Sequence, residues 1–199
     1  MNKTKKRRKD ILESLVTSLL EELNVDLEEG DLASTPERVA RTFLELTRSY
    51  EQEPPEVKRF QLPQSPAGEE QVIVIGDLHF FSLCEHHLLP FEGSVTVAYI
   101  PRGYIVGLSK PARCVEYFSH KLMIQERFAK QLADYLFKKI EPEALGVRVK
   151  ARHLCSAMRG VESREHYIET TKFRFAGDCI NIGRLQKRLE HYLRGGDST

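Results

Sequence analysis

Apolar positions Ile11, Leu12, Leu15, Val16, Leu19, Leu20 and Leu23 recur at helical spacing, with Glu13, Ser14, Ser18, Glu21 and Glu22 between them. This predicts an amphipathic helix with Asp10 as its N-cap. A second start signal stands at Ser34-Thr35-Pro36-Glu37: a hydroxyl cap, a proline in the first turn and a glutamate placed to close a capping box. The helix it opens is expected from about Pro36 toward Tyr50, burying Val39, Ala40, Phe43 and Leu44. Residues 51 to 70, with Pro54, Pro55, Pro63, Pro66 and Gly68, read as an irregular connection.

From Gln71 the period changes to two. Val72-Ile73-Val74-Ile75 leads through Asp77 to Phe80, and Ser94 to Ile100 forms a second strand after an intervening Cys-Glu-His-His turn. Tyr104 to Leu108 continues as a further strand segment beyond the turn Pro101-Arg102-Gly103. Ser109-Lys110-Pro111 opens a helix through Val115, Phe118 and Leu122. A further helix from about Gln125 buries Phe128, Leu132, Tyr135, Leu136 and Ile140 before Pro142 and Gly146 close it. Gly146 to Ser156 alternates strictly, with Val147, Val149, Ala151, His153 and Cys155 on one face and Arg148, Lys150 and Arg152 on the other. Tyr167 to Ala176 reads as the last strand and Asn181 to Tyr192 as a closing helix. Strands and helices come in groups without βαβ regularity, so the fold class is α+β with a mainly antiparallel sheet. The chain divides into a basic disordered tail over 1–10, a helical region and linker over 11–70, and an α+β domain over 71–194.

Composition narrows this picture. With 199 residues and 41% hydrophobic positions, the chain can bury one good core. No apolar run approaches the roughly 18 to 20 residues of a membrane span, and the N-terminus lacks the apolar region of a signal peptide, so a soluble cytoplasmic protein is expected. A formal net charge of +1 gives no global field for nucleic acid or membrane. Only Lys3 to Lys9 is strongly basic, and a solvated tail is the reading there. Four scattered cysteines, Cys84, Cys114, Cys155 and Cys179, argue for reduced thiols rather than a disulfide framework.

Chemistry concentrates at Cys84-Glu85-His86-His87. Cys84 and His87 have the C-x-x-H spacing that brings a thiolate and an imidazole to one metal, a pairing that zinc prefers. His153 and Cys155, two apart on an expected strand, project to one face and offer a third ligand in Cys155. Such a set leaves the fourth position open for water, as in catalytic sites. The alternatives are a closed structural zinc completed by His153, Cys114 or Cys179, and buried thiols with no metal. His86 and His153 flank the proposed ligands without being ligands, which suits proton transfer beside a metal.

Taken in order, Cys84-Glu85-His86-His87, Gly107-Leu108-Ser109-Lys110, Gln125-Glu126-Arg127 and His153-x-Cys155-x-x-x-Arg159-Gly160, together with the Thr35-Pro36-Glu37-Arg38-Val39-Ala40 helix start, resemble zinc-dependent GTP cyclohydrolase I. The resemblance implies the tunnelling fold, with sheets of several subunits joined in a barrel, a homodecamer of two pentamers and inter-subunit active sites. It implies hydration of GTP at C8, release of formate, ribose rearrangement and closure to 7,8-dihydroneopterin triphosphate, the reaction that opens folate and tetrahydrobiopterin synthesis.

By the same resemblance Zn2+ is held by Cys84, His87 and Cys155. His153 matches the proton donor to the purine, His86 a second acid/base group near the ribose, and Ser109 a group near the sugar. Glu126 matches the guanine-binding carboxylate, and a carboxylate accepting from the N1–H and the exocyclic amine of guanine makes a bidentate pair that adenine cannot. Gln125 is a further candidate for that edge. Lys110, Arg113 and Arg159 match phosphate-binding positions, and Arg38 another that reaches in from a neighbouring subunit. The run Glu169-Thr170-Thr171-Lys172-Phe173-Arg174-Phe175 and the segment 177–183 depart from the family pattern. The rival readings are another tunnelling-fold purine or pterin enzyme, such as a nitrile reductase or a pyruvoyl-pterin synthase, and a catalytically inactive zinc-binding homologue.

Overall fold

A computed structural model describes residues 3–62, 71–160, 162 and 166–195. The chain forms two compact units, Met1–Tyr50 and Glu51–Thr199. In the first, α1 (Lys3–Glu22) packs on α2 (Thr35–Leu46). Leu12, Val16 and Leu20 are half-buried, whereas Ile11, Leu15, Leu19 and Leu23 form an exposed stripe four residues apart.

Three expectations for this unit are corrected. Residues 3–10 are not a disordered tail but the first turns of α1, steadied by Lys9, whose ammonium donates to Glu37 at 2.9 Å and lies 3.4 Å from Glu13. The capping box does not form, because Ser34 Oγ donates back to the Asp31 carbonyl at 3.0 Å and Glu37 is engaged by Lys9 and Arg41. The helix also ends at Leu46, and Arg48–Tyr50 is a short 3-10 turn.

The second unit is built on a five-stranded sheet of order β5-β2-β3-β6-β7, comprising β2 (Ile73–Cys84), β3 (Pro90–Ile100), β5 (Leu122–Met123), β6 (Ala144–His153) and β7 (Ile168–Phe175). All its pairings are antiparallel except β2 with β5. The α+β class with a mainly antiparallel sheet is therefore observed. A two-stranded sheet joins β1 (Arg59–Gln61) to β4 (Tyr104–Val106). β1 lies inside the stretch expected to be irregular, of which Pro63, Pro66 and Gly68 fall outside the described residues.

Alternation along β3 and β6 divides the sheet into two faces. Phe91, Val95, Val97, Tyr99, Leu145, Val147, Val149 and Ala151 are buried with α3 (Ser109–Ser119) and α4 (Gln125–Ile140), which supply Cys114, Val115, Phe128, Leu132 and Leu136 to the same core. Ala98, Ile100 and Ala144 point the other way, under Leu185, Leu189 and Leu193 of α6 (Ile182–Leu193). Gly146 lets α6 sit this close, since a Cβ there would lie 2.7 Å from Leu193 Cδ1 and 3.1 Å from the Phe173 ring. Leu122, expected at the end of a helix, instead pairs with Leu83 in β5, and α3 stops at Ser119.

Candidate metal and proton-transfer site

The strand register gathers the predicted site at one end of the sheet. Phe91 at the start of β3 faces His153 at the end of β6, and Cys84 at the end of β2 faces Met123, just before α4 begins. The five-residue turn after Cys84 is closed by Leu88 N–H donating to the Cys84 carbonyl at 2.9 Å and by Cys84 N–H donating to Leu89 at 2.9 Å, with Leu88 at φ 56°. The left-handed residue reverses the chain tightly enough to return His87 toward Cys84. Gly93 makes the neighbouring β3–β6 pairing possible, since a Cβ there would fall 2.0 Å from the Lys150 carbonyl oxygen.

Cys84 Sγ and His87 Nδ1 are 3.7 Å apart, and the Cys155 sulfur completes a group whose ligand atoms all lie within 4.8 Å of one another. Two ligands on a tetrahedral zinc with Zn–S of about 2.3 Å and Zn–N of about 2.0 Å stand roughly 3.6 Å apart. The donor set thus fits a metal with little movement, and it is soft enough to favour zinc. Burial, followed by the neighbouring Cys84 sulfur, pushes the Cys155 thiol up. A bound cation reverses that preference by stabilising thiolates.

The route by which Cys155 reaches the site differs from the expected one. β6 ends at His153, and Leu154–Ala157 is a helical turn, α5, so Cys155 does not share a strand face with His153. The helical turn carries it to the cluster instead. The closed-site alternatives have other partners. Cys114 is fully buried in the core, its thiol pushed up to about 12 by burial, and Cys179 Sγ donates to the Glu143 carbonyl at 3.1 Å.

His153 is held on two sides. Its ring stacks on Phe91 with centroids 4.6 Å apart and planes 3° from parallel, and its Nε2 lies 3.0 Å from Gln125 Oε1. Gln125 is 1% exposed. Its amide nitrogen donates to the carbonyls of Ile168 at 2.9 Å and Val149 at 3.2 Å, with Thr170 Oγ1 also at 3.2 Å. These acceptors fix the amide orientation, so Oε1 accepts from His153 and the neutral ring carries its proton on Nε2. Burial lowers the His153 pKa, opposed by the charge of Glu126. Gln125 thus sits behind His153, a role that its place beside Glu126 in sequence does not reveal.

Glu126 and Arg127 occupy the exposed side of the first turn of α4, and His86 is exposed on the metal turn. Ser109 and Lys110 open α3, with Arg113 one turn on, and Arg159 follows α5. Lys110, Arg113 and Arg159 make no side-chain hydrogen bond or ion pair among the described residues. Arg38 is an exposed residue of α2 in the first unit. On the same sheet face as α6, but beyond the part that the helix covers, a separate cavity of about 630 Å³ is lined by His79, Phe81, Glu92, Lys150, Arg152 and Tyr167, among others.

A tunnelling-fold chain with a metal-competent Cys-His-Cys cluster and a braced histidine beside it is the class that this architecture defines. Residues 12–187 match the family model of GTP cyclohydrolase I, and the chain belongs to that family. A GTP cyclohydrolase 1 of Bacteroides fragilis (strain YCH46) is 45% identical over 156 residues, covering 78% of this chain and 79% of the relative. One from Chlorobium phaeovibrioides (strain DSM 265 / 1930) is 43% identical over 176 residues, covering 86% and 77%. A crystal structure of the archaeosine synthase QueF-Like in the apo form aligns with a TM-score of 0.45 and 18% identity, over 55% of this chain and 95% of that one. Among the described residues no helix is long and apolar enough to cross a membrane.

Proposed function

We propose that this protein is a GTP cyclohydrolase I that opens the imidazole ring of GTP at C8 with release of formate and closes the product to 7,8-dihydroneopterin triphosphate. The observation that carries the proposal is the Cys84, His87 and Cys155 cluster beside a histidine held by Phe91 and Gln125, in a chain of the GTP cyclohydrolase I family. Cys84, His87 and Cys155 would hold Zn2+, which would supply Lewis acidity to activate water for the attack on C8.

The residues around it divide the remaining work. With Nε2–H donated to Gln125, the neutral His153 ring takes up a proton at Nδ1, and the imidazolium so formed passes that proton to the purine. Burial lowers its pKa and so favours the neutral ring, with the charge of Glu126 acting the other way. Glu126, exposed at the start of α4, accepts from the N1–H and exocyclic amine of guanine and orients the base. His86 serves as a second acid/base group, and Ser109 stands near the sugar. Lys110, Arg113 and Arg159 bind the triphosphate, with Arg38 contributed by a neighbouring subunit.

The active enzyme is a homodecamer of two pentamers with sites between subunits. Support comes from the part of the α6-bearing sheet face that the helix leaves open, where Phe81 is 57% and Tyr167 55% exposed, and from β7, an edge strand with Ile168 exposed. Partner copies would cover both. Incubating the zinc-loaded protein with GTP and assaying formate and the fluorescent oxidised pterin tests the activity, and failure to form either with metal present refutes it. A mass measurement in solution tests the assembly, and a monomer refutes the inter-subunit site.

A further inference from the structure

We propose that Arg127 and Glu85 form a positioning clamp that holds the metal-bearing turn in register with the first turn of α4, an assignment that rests on the activity proposed above. Glu85 lies between the ligand Cys84 and His86. Its N–H donates to the Met123 carbonyl at 3.2 Å. Its carboxylate receives both terminal nitrogens of Arg127, Nη1 on Oε2 and Nη2 on Oε1, the latter at 3.1 Å. Arg127 shares its turn with Gln125, which braces His153, and with Glu126, which is assigned to the base. A backbone bond therefore ties the turn that carries His86 and His87 to the end of β5, two residues before α4, and a two-pronged ion pair ties it to the turn that carries the base-recognising carboxylate.

An exposed ion pair usually contributes little. This one differs in geometry, because the planar guanidinium fork fixes the orientation of both partners and Glu85 is only 24% exposed. Glu85 is not itself a ligand of the Cys84, His87 and Cys155 group. Its carboxylate is also 3.9 Å from His86 Nε2, beyond hydrogen-bond length, so its bonding capacity goes to Arg127 rather than to that ring. The clamp acts on the reaction through the placement of His86, His87 and Glu126 relative to one another.

The test compares Glu85→Gln, Arg127→Gln, the double variant and Arg127→Lys, measuring zinc affinity by chelator competition alongside kcat and KM for GTP. Each single neutral variant is expected to weaken zinc binding and lower kcat by about tenfold, while KM stays within about threefold, because ligand pre-orientation is lost and the substrate contacts remain. The double variant is expected to be no worse than the worse single, since both changes open the same clamp. Arg127→Lys should recover only part of the loss, an ammonium being unable to make both bonds. Losses that multiply in the double variant overturn the proposal. So does an Arg127→Gln variant that raises KM with zinc affinity and kcat intact, which would make Arg127 a substrate contact. Zinc competition needs no GTP, so a wild-type protein without turnover refutes the activity while the zinc measurements still decide the clamp.

Discussion

The metal-and-base end of the proposed site and its proposed cationic end are built on opposite plans. Around Cys84 nearly every functional group has a protein partner already in place: Cys84 with His87 and Cys155, His153 with Phe91 and Gln125, Glu85 with Arg127. Lys110, Arg113 and Arg159 have no such partner among the described residues. Groups that must hold a metal or move a proton need fixed angstrom-scale geometry, and preorganisation lowers the barrier to reaction. Cations that receive a flexible polyanion gain from staying solvated until it arrives, because pairing them in advance would have to be undone. The difference predicts that damage to the first end appears in kcat and metal content, and damage to the second in KM.

The largest effect tests the first half of that contrast. Replacing Cys155 by Ser should cost on the order of a thousandfold in turnover together with most of the zinc, since several kcal/mol of charge stabilisation leave with the metal. Metal analysis beside the pterin assay checks both. A variant that keeps full activity without zinc would break the comparison at its root. Next in size, Gln125→Leu should lower kcat by roughly ten- to a hundredfold with zinc retained, because it frees the His153 ring and removes the acceptor that sets its tautomer. A rise in KM with kcat unchanged would move Gln125 from behind His153 to the guanine edge.

How far these roles could be read from sequence depends on how local their causes are. The C-x-x-H spacing of Cys84 and His87 is a local signal, and the turn closed by Leu88 delivers what it promises. Cys155 was legible as a member of the cluster, yet for a reason that fails: strand alternation ends at His153 and a helical turn does the placing. The division of β3 and β6 into two faces was visible because burial follows the two-residue period. Strands of two or three residues, β5 and β1, carry too few positions for any period to show. Gln125 was seen as a neighbour of Glu126, but its place behind His153 arises from acceptors on β6 and β7, 24 to 45 residues away. The capping box at Ser34 failed because Lys9, which sequence consigned to a tail, takes Glu37 instead.

At the cationic end the expected effects are smaller and of another kind. Arg113→Ala and Lys110→Ala should each raise KM for GTP by about tenfold, the worth of one charge-assisted hydrogen bond, with kcat and zinc nearly unchanged. The increase should shrink as salt is added, because screening weakens the same contacts in the wild type. A fall in kcat with unaltered KM would show that these side chains are as preorganised as His153, and the contrast between the two ends would fail.

The smallest effect asks whether the cationic end is unpaired because α3 itself is loose. Cys114 lies on the buried side of that helix, fully enclosed, while Arg113 beside it is exposed. Burial pushes the Cys114 thiol from its usual 9.0 up to about 12. A firmly seated α3 should therefore leave Cys114 unalkylated by iodoacetamide at pH 8, read by peptide mass spectrometry, while the denatured chain reacts readily. The linkage has a definite sign. A thiol whose folded pKa is raised contributes stability that is complete below pH 9 and is lost as pH climbs from 9 toward 12. Between pH 8 and 10 the unfolded thiol ionises and the folded one does not, so the native protein should lose about 1.4 kcal/mol more than a Cys114→Ala variant over the same interval. Chemical denaturation at the two pH values measures it. If Cys114 alkylates rapidly in the native protein, or if the two pH slopes coincide, α3 opens in solution, and the lack of partners for Lys110 and Arg113 among the described residues reflects a mobile helix instead of a rigid platform that holds its charges ready for the proposed triphosphate.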